Sequence, residues 1–239
     1  MTTFLLVHGA WHSGAAWDRV VPLLESAGHR VLAPSLTGYG DKKHLLSPET
    51  GLDTHVQDIV DLLRDEKDVV LVGHSYAGLV ISSAANELPD RVAELVYLDA
   101  MVPEHGETAV DVQPISQNLI DLAARQGDGW RVPPMPEQPA PFGLFGVTDP
   151  ADVEWLRGML SDQPVRCLQQ PVRLDNPAAR AIPRTHIHCV GTTPKGIIRR
   201  PVPALQPNGT PSQVWELPTG HDCMITMPVE LSELLLKLA

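Results

Sequence analysis

The chain has 239 residues, 43% of them hydrophobic, and its 29 acidic against 18 basic side chains give a formal net charge of −11. This length suits one α/β domain with a sizeable core, and no break in composition divides residues 1–239 into two domains. Nucleic acid and anionic membrane surfaces repel an acidic chain, so both kinds of partner are disfavoured. The charge favours a neutral small molecule as the partner.

Targeting and cysteine signals are few. The apolar run at residues 4–7 is too short to span a bilayer, and no basic segment precedes a signal-like apolar stretch, so we expect a cytoplasmic protein. Cys167, Cys189 and Cys223 cannot all pair with one another and have neither C-x-x-C nor zinc-ligand spacing. We expect buried thiols and no metal site, although Cys223 lies two residues after His221.

Strands and helices alternate along most of the chain, which predicts a mainly parallel sheet of about six strands flanked by helices. Turn residues and the spacing of apolar side chains set the boundaries. The predicted strands are residues 3–7, 30–33, 68–72, 92–98, 185–190 and 212–217, and the predicted helices between and after them are 17–27, 52–65, 76–88 and 229–238.

The character of the chain changes at residues 103–184, which contain most of the prolines and only short predicted helices, at 115–125 and 152–160. Long irregular stretches in compact domains are often lids or binding loops, so we predict a cap or lid inserted into the single domain. Its large apolar side chains are too many to leave in water, and some should line a pocket. They are Trp130, Phe142, Phe145 and Trp155.

Ser75 lies where a buried strand meets a helix. Residues 68–72 are nearly all apolar, as in a central parallel strand, and the following G-H-S-Y-A-G places small residues on both sides of the serine. Small neighbours allow the sharp turn that exposes a nucleophile, although the usual G-x-S-x-G pattern has here Ala77 in its fifth position, with Gly78 next. We predict that Ser75 is a catalytic nucleophile on such an elbow.

A serine nucleophile needs a base and donors for the developing oxyanion. His221, in T-G-H-D after the last predicted strand, falls at the same edge of the sheet as the elbow, which predicts that it is the base. The predicted oxyanion donors are the backbone N–H of Tyr76 and that of Ala10, which follows the first strand. Trp11 and His12, in the same loop, are predicted substrate contacts together with Trp130, Phe142 and Trp155 of the lid.

Four segments carry a resemblance: LLVHGAWHSGAAW near the start, LLESAGHRVL, VGHSYAGL around Ser75, and GHDCMITMP around His221. They resemble the plant methylesterase and hydroxynitrile lyase branch of the α/β-hydrolase superfamily, together with its bacterial esterase relatives. The resemblance covers both ends of the chain well and the lid poorly. It implies the α/β-hydrolase fold, with six parallel strands, and a reaction that needs no cofactor.

The chain departs from this family at the acid. An aspartate normally follows the strand before the histidine loop, whereas residues 190–195 read V-G-T-T-P-K and contain no carboxylate. Asp99 follows strand 92–98, which ends at the same edge of the sheet as His221, so it is the best candidate for the acid. The haloalkane dehalogenases resemble this arrangement, because their acid also comes from the strand after the elbow helix. Three alternatives stay open: Asp99 only caps a turn, Glu216 is the acid, or no carboxylate is used. Asp222 is poorer, because consecutive side chains usually point apart.

The predicted function is hydrolysis of small to medium aryl or alkyl carboxylic esters through an acyl-enzyme on Ser75. The expected partner is therefore an ester molecule, with a homodimer left open. Hydroxynitrile lyase chemistry is an alternative, but the lyases carry threonine where this chain has Gly9 and lysine where it has Asp222, whose negative charge would disfavour departing cyanide. A non-hydrolytic cyclase or ligand-binding role, a lactonase and a thioesterase also remain.

Overall fold

The computed structural model describes residues 1–126, 128–194 and 196–239, and the elements below belong to them. The strands are β1 (Thr3–Val7), β2 (Arg30–Leu32), β3 (Val69–His74), β4 (Val92–Leu98), β5 (Arg131–Val132), β6 (Gln163–Pro164), β7 (Arg184–Cys189) and β8 (Gln213–Leu217). The helices are α1 (Val21–Ser26), α2 (Leu52–Asp65), α3 (Ala77–Glu87), α4 (Ala109–Val112), α5 (Ser116–Gln126), α6 (Pro150–Met159), α7 (Arg166–Gln169), α8 (Cys223–Thr226) and α9 (Pro228–Leu236).

A six-stranded sheet in the order β2-β1-β3-β4-β7-β8 organises the molecule, and all its neighbouring strands are parallel. This confirms the predicted α/β class and the number of strands. The predicted helix at 17–27 is shorter in the structure: a 3₁₀ turn over Gly14–Trp17 precedes α1. Pro22 lies in the first turn of α1, where its missing N–H costs nothing, but its ring would clash inside a longer helix.

Side chains of alternate strand residues belong to two apolar clusters, one on each face of the sheet. On β1, Leu5 and Val7 pack with α2 and α3, while Phe4 and Leu6 pack with α1 and α9. Burial on both faces explains why these strands read as continuous apolar runs rather than as alternating ones.

The segment of residues 99–183, between β4 and β7, contributes side chains to both of these clusters. Val132 and Leu168 join the α2–α3 side, and Leu144 and Leu156 join the α1–α9 side. Within this segment β5 and β6 form a separate antiparallel ribbon. The range 103–184, predicted to be a cap, overlaps this segment except for Arg184, which begins β7. Among the described helices, none is long and apolar enough to cross a membrane.

We predict that Gly78→Ala destabilises the protein. A Cβ at Gly78, in the first turn of α3, would lie 1.9 Å from the carbonyl oxygen of Met101, so the backbone after β4 must move. Overpacking of this kind costs about 1–3 kcal/mol in the free energy of unfolding, measurable in urea. Gly158→Ala on α6 is the control, because nothing lies within 4 Å of its added Cβ. Equal unfolding midpoints for Gly78→Ala and the native chain would contradict the prediction.

Candidate active site

Ser75 directly follows β3 in the left-handed conformation, with φ of 57°, which is strained for a residue other than glycine. Three backbone hydrogen bonds hold it there. Its N–H donates to the carbonyl of Leu98 (3.2 Å), and its carbonyl accepts from the N–H of Gly78 (3.1 Å) and from the N–H of Met101 (3.0 Å). The nucleophile candidate is therefore fixed against both α3 and the segment that leaves β4.

The loop after β1 lies directly against this turn, because β1 pairs with β3 up to Val7 and Gly73. A Cβ at Gly9 would approach the Cβ of Ser75 to 2.9 Å, so no side chain fits there without movement. The backbone N–H groups of Ala10 and Tyr76 donate to no acceptor within the described residues. Both predicted oxyanion donors are thus left free.

His221, in the loop after β8, donates a hydrogen bond from Nδ1 to Oδ2 of Asp99 at 2.7 Å. Asp99 follows β4 with φ of 42°, and its N–H is held by the carbonyl of Ile187 on β7 (2.7 Å). The structure therefore brings Asp99 to the histidine. Glu216 is exposed on the edge strand β8, and the carboxylate of Asp222 binds His12 instead.

The pair has strongly shifted pKa values. Burial lowers the pKa of His221, but the bond to Asp99 and its negative charge outweigh burial and raise it to about 9. For Asp99, burial acts to raise the pKa, and the bonds to His221 and Arg199 overcome it, so the pKa lies well below its usual range. Asp99 is a carboxylate at neutral pH, oriented towards the ring of His221.

Arg199 is the residue of this site that the sequence did not indicate. Its Nη2 donates to Oδ1 of Asp99 (2.6 Å) and to the carbonyl of Cys189 (2.9 Å), at the end of β7. The N–H of Cys189 also points to the same carboxylate oxygen, at 3.3 Å. Arg199 lies ten residues beyond β7 in an irregular segment without any motif, so no sequence signal could have connected it to Asp99.

Two buried histidines support the loops. His8 donates from Nδ1 to the carbonyl of Gly9 (2.8 Å) and accepts at Nε2 from the N–H of Leu36 (3.0 Å). His74 donates from Nε2 to the carbonyl of His221 (3.1 Å). Burial lowers the pKa of each to about 3, so both rings are neutral.

The predicted substrate contacts of the β1 loop are packed against the protein. Trp11, which is 8% exposed, donates from Nε1 to the carbonyl of Val132 in the β5–β6 ribbon (3.2 Å). His12 is 1% exposed, and both of its ring nitrogens bind protein groups, at Ala10 and Asp222. A substrate could reach His12 only through its carbon atoms, because both ring nitrogens are engaged.

The aromatic residues predicted from the lid lie in different surroundings. Trp155 packs with the α1–α9 cluster, its ring 4.9 Å from the guanidinium of Arg19, and this position corresponds to a packing role. Trp130 is partly exposed beside Arg131, and Phe142 is also partly exposed. Phe145 is the lid aromatic that contacts the site: its carbonyl accepts from the N–H of Asp222 (2.9 Å), and its ring lies 4.9 Å from that of His12.

One group at this edge has metal-ligand chemistry. His74, His221 and Asp222 each place one possible ligand atom within 4.8 Å of the others. These side chains already have roles, because His74 donates to the carbonyl of His221 and Asp222 binds His12. The arrangement serves better as a hydrogen-bonded support than as a metal centre.

Comparison with known proteins identifies the family. Residues 4–234 match the family described as the alpha/beta hydrolase family. The chain belongs to the α/β-hydrolase family. The chain is also similar to the carbendazim hydrolyzing esterase of Nocardioides sp. (strain SG-4G), with 35% identity over 246 residues, covering 100% of both chains.

Two further proteins are similar to this chain, one over part of its length and one in fold. Methylesterase 2 of Arabidopsis thaliana is 38% identical over 106 residues, 42% of this chain and 40% of its own. The structure of an extracellular α/β-hydrolase from a Paenibacillus species, described as homologous in structure and function to tobacco salicylic acid binding protein 2, has a TM-score of 0.78 and 23% identity, covering 100% of this chain and 99% of that one. The esterase relatives support carboxylic ester hydrolysis as the enzymatic activity.

We predict that Asp99→Asn lowers kcat by about 10⁴-fold, because an amide cannot hold the required histidine tautomer or stabilise its imidazolium. Steady-state kinetics on an activated ester, with circular dichroism to check the fold, measure the effect. Glu216→Gln is the control and should retain native turnover. Near-native turnover of Asp99→Asn would remove Asp99 from the reaction.

We predict that Arg199→Gln shifts the acid limb of the kcat/KM pH profile upwards by about half a unit. Loss of the cation leaves the charge of Asp99 less compensated, so the pKa of His221 rises further. The shift stays small because the Arg199 side chain is 36% exposed and solvent screens it. Arg200→Gln is the matched control, since Arg200 pairs with Glu107. A downward shift, or equal profiles, would contradict the prediction.

Proposed function

We propose that the protein is a serine hydrolase that cleaves small to medium carboxylic esters through an acyl-enzyme on Ser75. The observation that carries this proposal is the 2.7 Å hydrogen bond from His221 to Asp99, at the sheet edge where Ser75 ends β3. Two free backbone N–H groups beside Ser75 add the electrostatic requirement of acyl transfer.

In the proposed reaction, the hydroxyl oxygen of Ser75 attacks the ester carbonyl while Nε2 of His221 takes its proton. The N–H groups of Ala10 and Tyr76 stabilise the oxyanion, and Asp99 stabilises the imidazolium. Collapse of the tetrahedral intermediate expels the alcohol, which receives the proton from His221. Water activated by His221 then attacks the acyl-enzyme, releases the carboxylic acid and restores Ser75.

The substrate class follows from the surroundings and the relatives. Apolar rings of Trp11 and Phe145 lie at the β1 loop, 5.7 Å apart, and suit an ester with an aryl or alkyl group. A relative that covers the whole chain is named for the hydrolysis of carbendazim, which makes this compound a direct probe. We propose that residues 103–184 form a cap over the ester-binding side of Ser75.

Hydroxynitrile lyase chemistry receives little support. The lyase threonine has no room at Gly9, where a Cβ would meet Ser75 at 2.9 Å. The argument from Asp222 is corrected by the structure: its carboxylate is buried and bound to His12 (2.9 Å), so it is not an unpaired charge facing a leaving group. The contact at Gly9 therefore carries the argument against a lyase.

The test is turnover of p-nitrophenyl acetate, p-nitrophenyl butyrate and carbendazim by the native chain and by Ser75→Ala. We expect the variant to lose at least about 10⁴-fold in kcat and the native enzyme to carry an acyl group on Ser75 after rapid quenching. The native kcat/KM should rise with pH towards about 9, because the base must be neutral and the pKa of His221 is raised to that value.

Ser83→Ala provides the matched control for this test. Ser83 is a buried serine on α3 whose hydroxyl has no partner within the described residues, so its loss should leave turnover unchanged. Equal turnover by the native chain and Ser75→Ala, or no turnover of any ester, would reject the proposed function.

A further inference from the structure

His12 is enclosed between two hydrogen-bond acceptors. Nδ1 lies 2.7 Å from the carbonyl oxygen of Ala10, and Nε2 lies 2.9 Å from Oδ2 of Asp222. A carbonyl and a carboxylate cannot donate, so both bonds form together only if both ring nitrogens carry protons. With Asp222 ionised, as its lowered pKa indicates, this geometry makes His12 an imidazolium, buried with 1% of its surface exposed.

The surrounding groups agree with this charge. Burial acts to lower the pKa of His12, but the charge and hydrogen bond of Asp222 overcome it and the pKa is raised. Asp222, which is fully buried, has its pKa lowered mainly by His12, against the effect of burial. The other titratable groups facing the pair are His74, 3.8 Å from Oδ1 of Asp222, together with His221, His8 and Cys223. His74 and His8 are neutral, whereas the charge of His221 acts to lower the pKa of His12, and Asp222 outweighs it.

The pair joins two loops that the sheet holds far apart. His12 follows β1 and Asp222 follows β8, and these strands are separated by β3, β4 and β7. Four strand spacings of about 4.8 Å place β1 and β8 roughly 19 Å apart. The two loops meet above the sheet edge, where one contains Ala10 and the other contains His221.

Of the four backbone carbonyl and N–H groups in the two peptides that flank Ala10, three form hydrogen bonds with side chains. The carbonyl of Gly9 accepts from His8, the carbonyl of Ala10 accepts from His12, and the N–H of Trp11 donates to Oε1 of Gln163 (3.4 Å). The N–H of Ala10 remains free within the described residues. The peptide that contains this N–H, Gly9–Ala10, is held by His8, and His12 holds the next peptide, Ala10–Trp11, so His12 fixes the position of Ala10 from its C-terminal side.

We propose that His12 and Asp222 form an ionic clamp that sets the position of the Ala10 oxyanion donor relative to the base His221. This inference rests on the proposed function. An oxyanion donor acts only within about 2.7–3.1 Å of the oxyanion, and it contributes in the transition state rather than to ground-state binding. Both residues are positioning residues, so their loss lowers kcat and leaves KM nearly unchanged.

Two substitutions at one position separate the two bonds of the clamp. The amide of His12→Asn can replace Nδ1 and keep the bond to Ala10 while losing Asp222. The longer His12→Gln can replace Nε2 and keep Asp222 while losing Ala10. We expect each variant, and Asp222→Asn, to lose about 10–100-fold in kcat with KM within threefold, and the affinity for an alkyl boronic acid bound to Ser75 to fall in parallel.

A double-mutant cycle tests whether the two side chains act as a unit. The combined variant His12→Asn with Asp222→Asn should be no worse than the worse single variant, because the clamp is already open. His186→Asn is the matched control, since it removes a buried histidine of β7 that stacks on Tyr97. It should keep kcat within twofold, and thermal melts of all variants identify any general loss of fold.

Nitrogen-15 NMR of histidine-labelled Ser75→Ala protein tests the charge without changing the clamp. At pH 6.5, where an ordinary histidine is half neutral, the His12 ring should show mainly the shifts of an imidazolium. A neutral ring, kcat losses no larger than in His186→Asn, or losses that add in the double variant would overturn the clamp. If Ser75→Ala is inactive while the clamp variants turn over normally, only the clamp fails; if Ser75→Ala turns over normally, the proposed function fails.

Discussion

The site depends on one backbone constraint. The neighbouring strands β3 and β4 end side by side, and each is followed by a residue in the left-handed conformation. Ser75 after β3 and Asp99 after β4 have φ of 57° and 42°. Their turns interlock, because Ser75 bonds to Leu98 and Met101 on either side of Asp99, and Asp99 bonds to Ile187 on the next strand. The strain is stable because the parallel ladder and two apolar clusters determine where each strand ends.

Burial then forces the charges of the site into pairs. An isolated charge in this interior would be costly, so each buried carboxylate has a histidine partner: Asp99 has His221, and Asp222 has His12. The ring nitrogens of His8 and His74 that form hydrogen bonds bind backbone carbonyl or N–H groups, and both rings stay neutral. The same side chain therefore has two charge states within one site, according to the acceptors it faces.

Residues 99–183 complete the site by contact with its loops. Trp11 is held by the β5–β6 ribbon through Val132 and Gln163, and Asp222 is held by the carbonyl of Phe145. The loop with the proposed oxyanion donor Ala10 and the loop with the proposed base His221 thus both attach to this one segment. A change in the segment would move both loops, which links the proposed cap to the chemistry below it.

The sequence by itself determined the six strands of the sheet, with ends within two residues of those observed, because apolar runs and turn residues are local signals. The place of a residue after a strand predicts the roles of Ser75, Asp99, His221 and Ala10. Only the tertiary structure decided that Asp99 faces His221, that Arg199 binds Asp99, that Asp222 binds His12, and that Phe145 contacts Asp222 and His12. These contacts join residues up to 210 positions apart. Their geometry depends on how loops from separate strands meet above the sheet, which no local pattern in the sequence encodes.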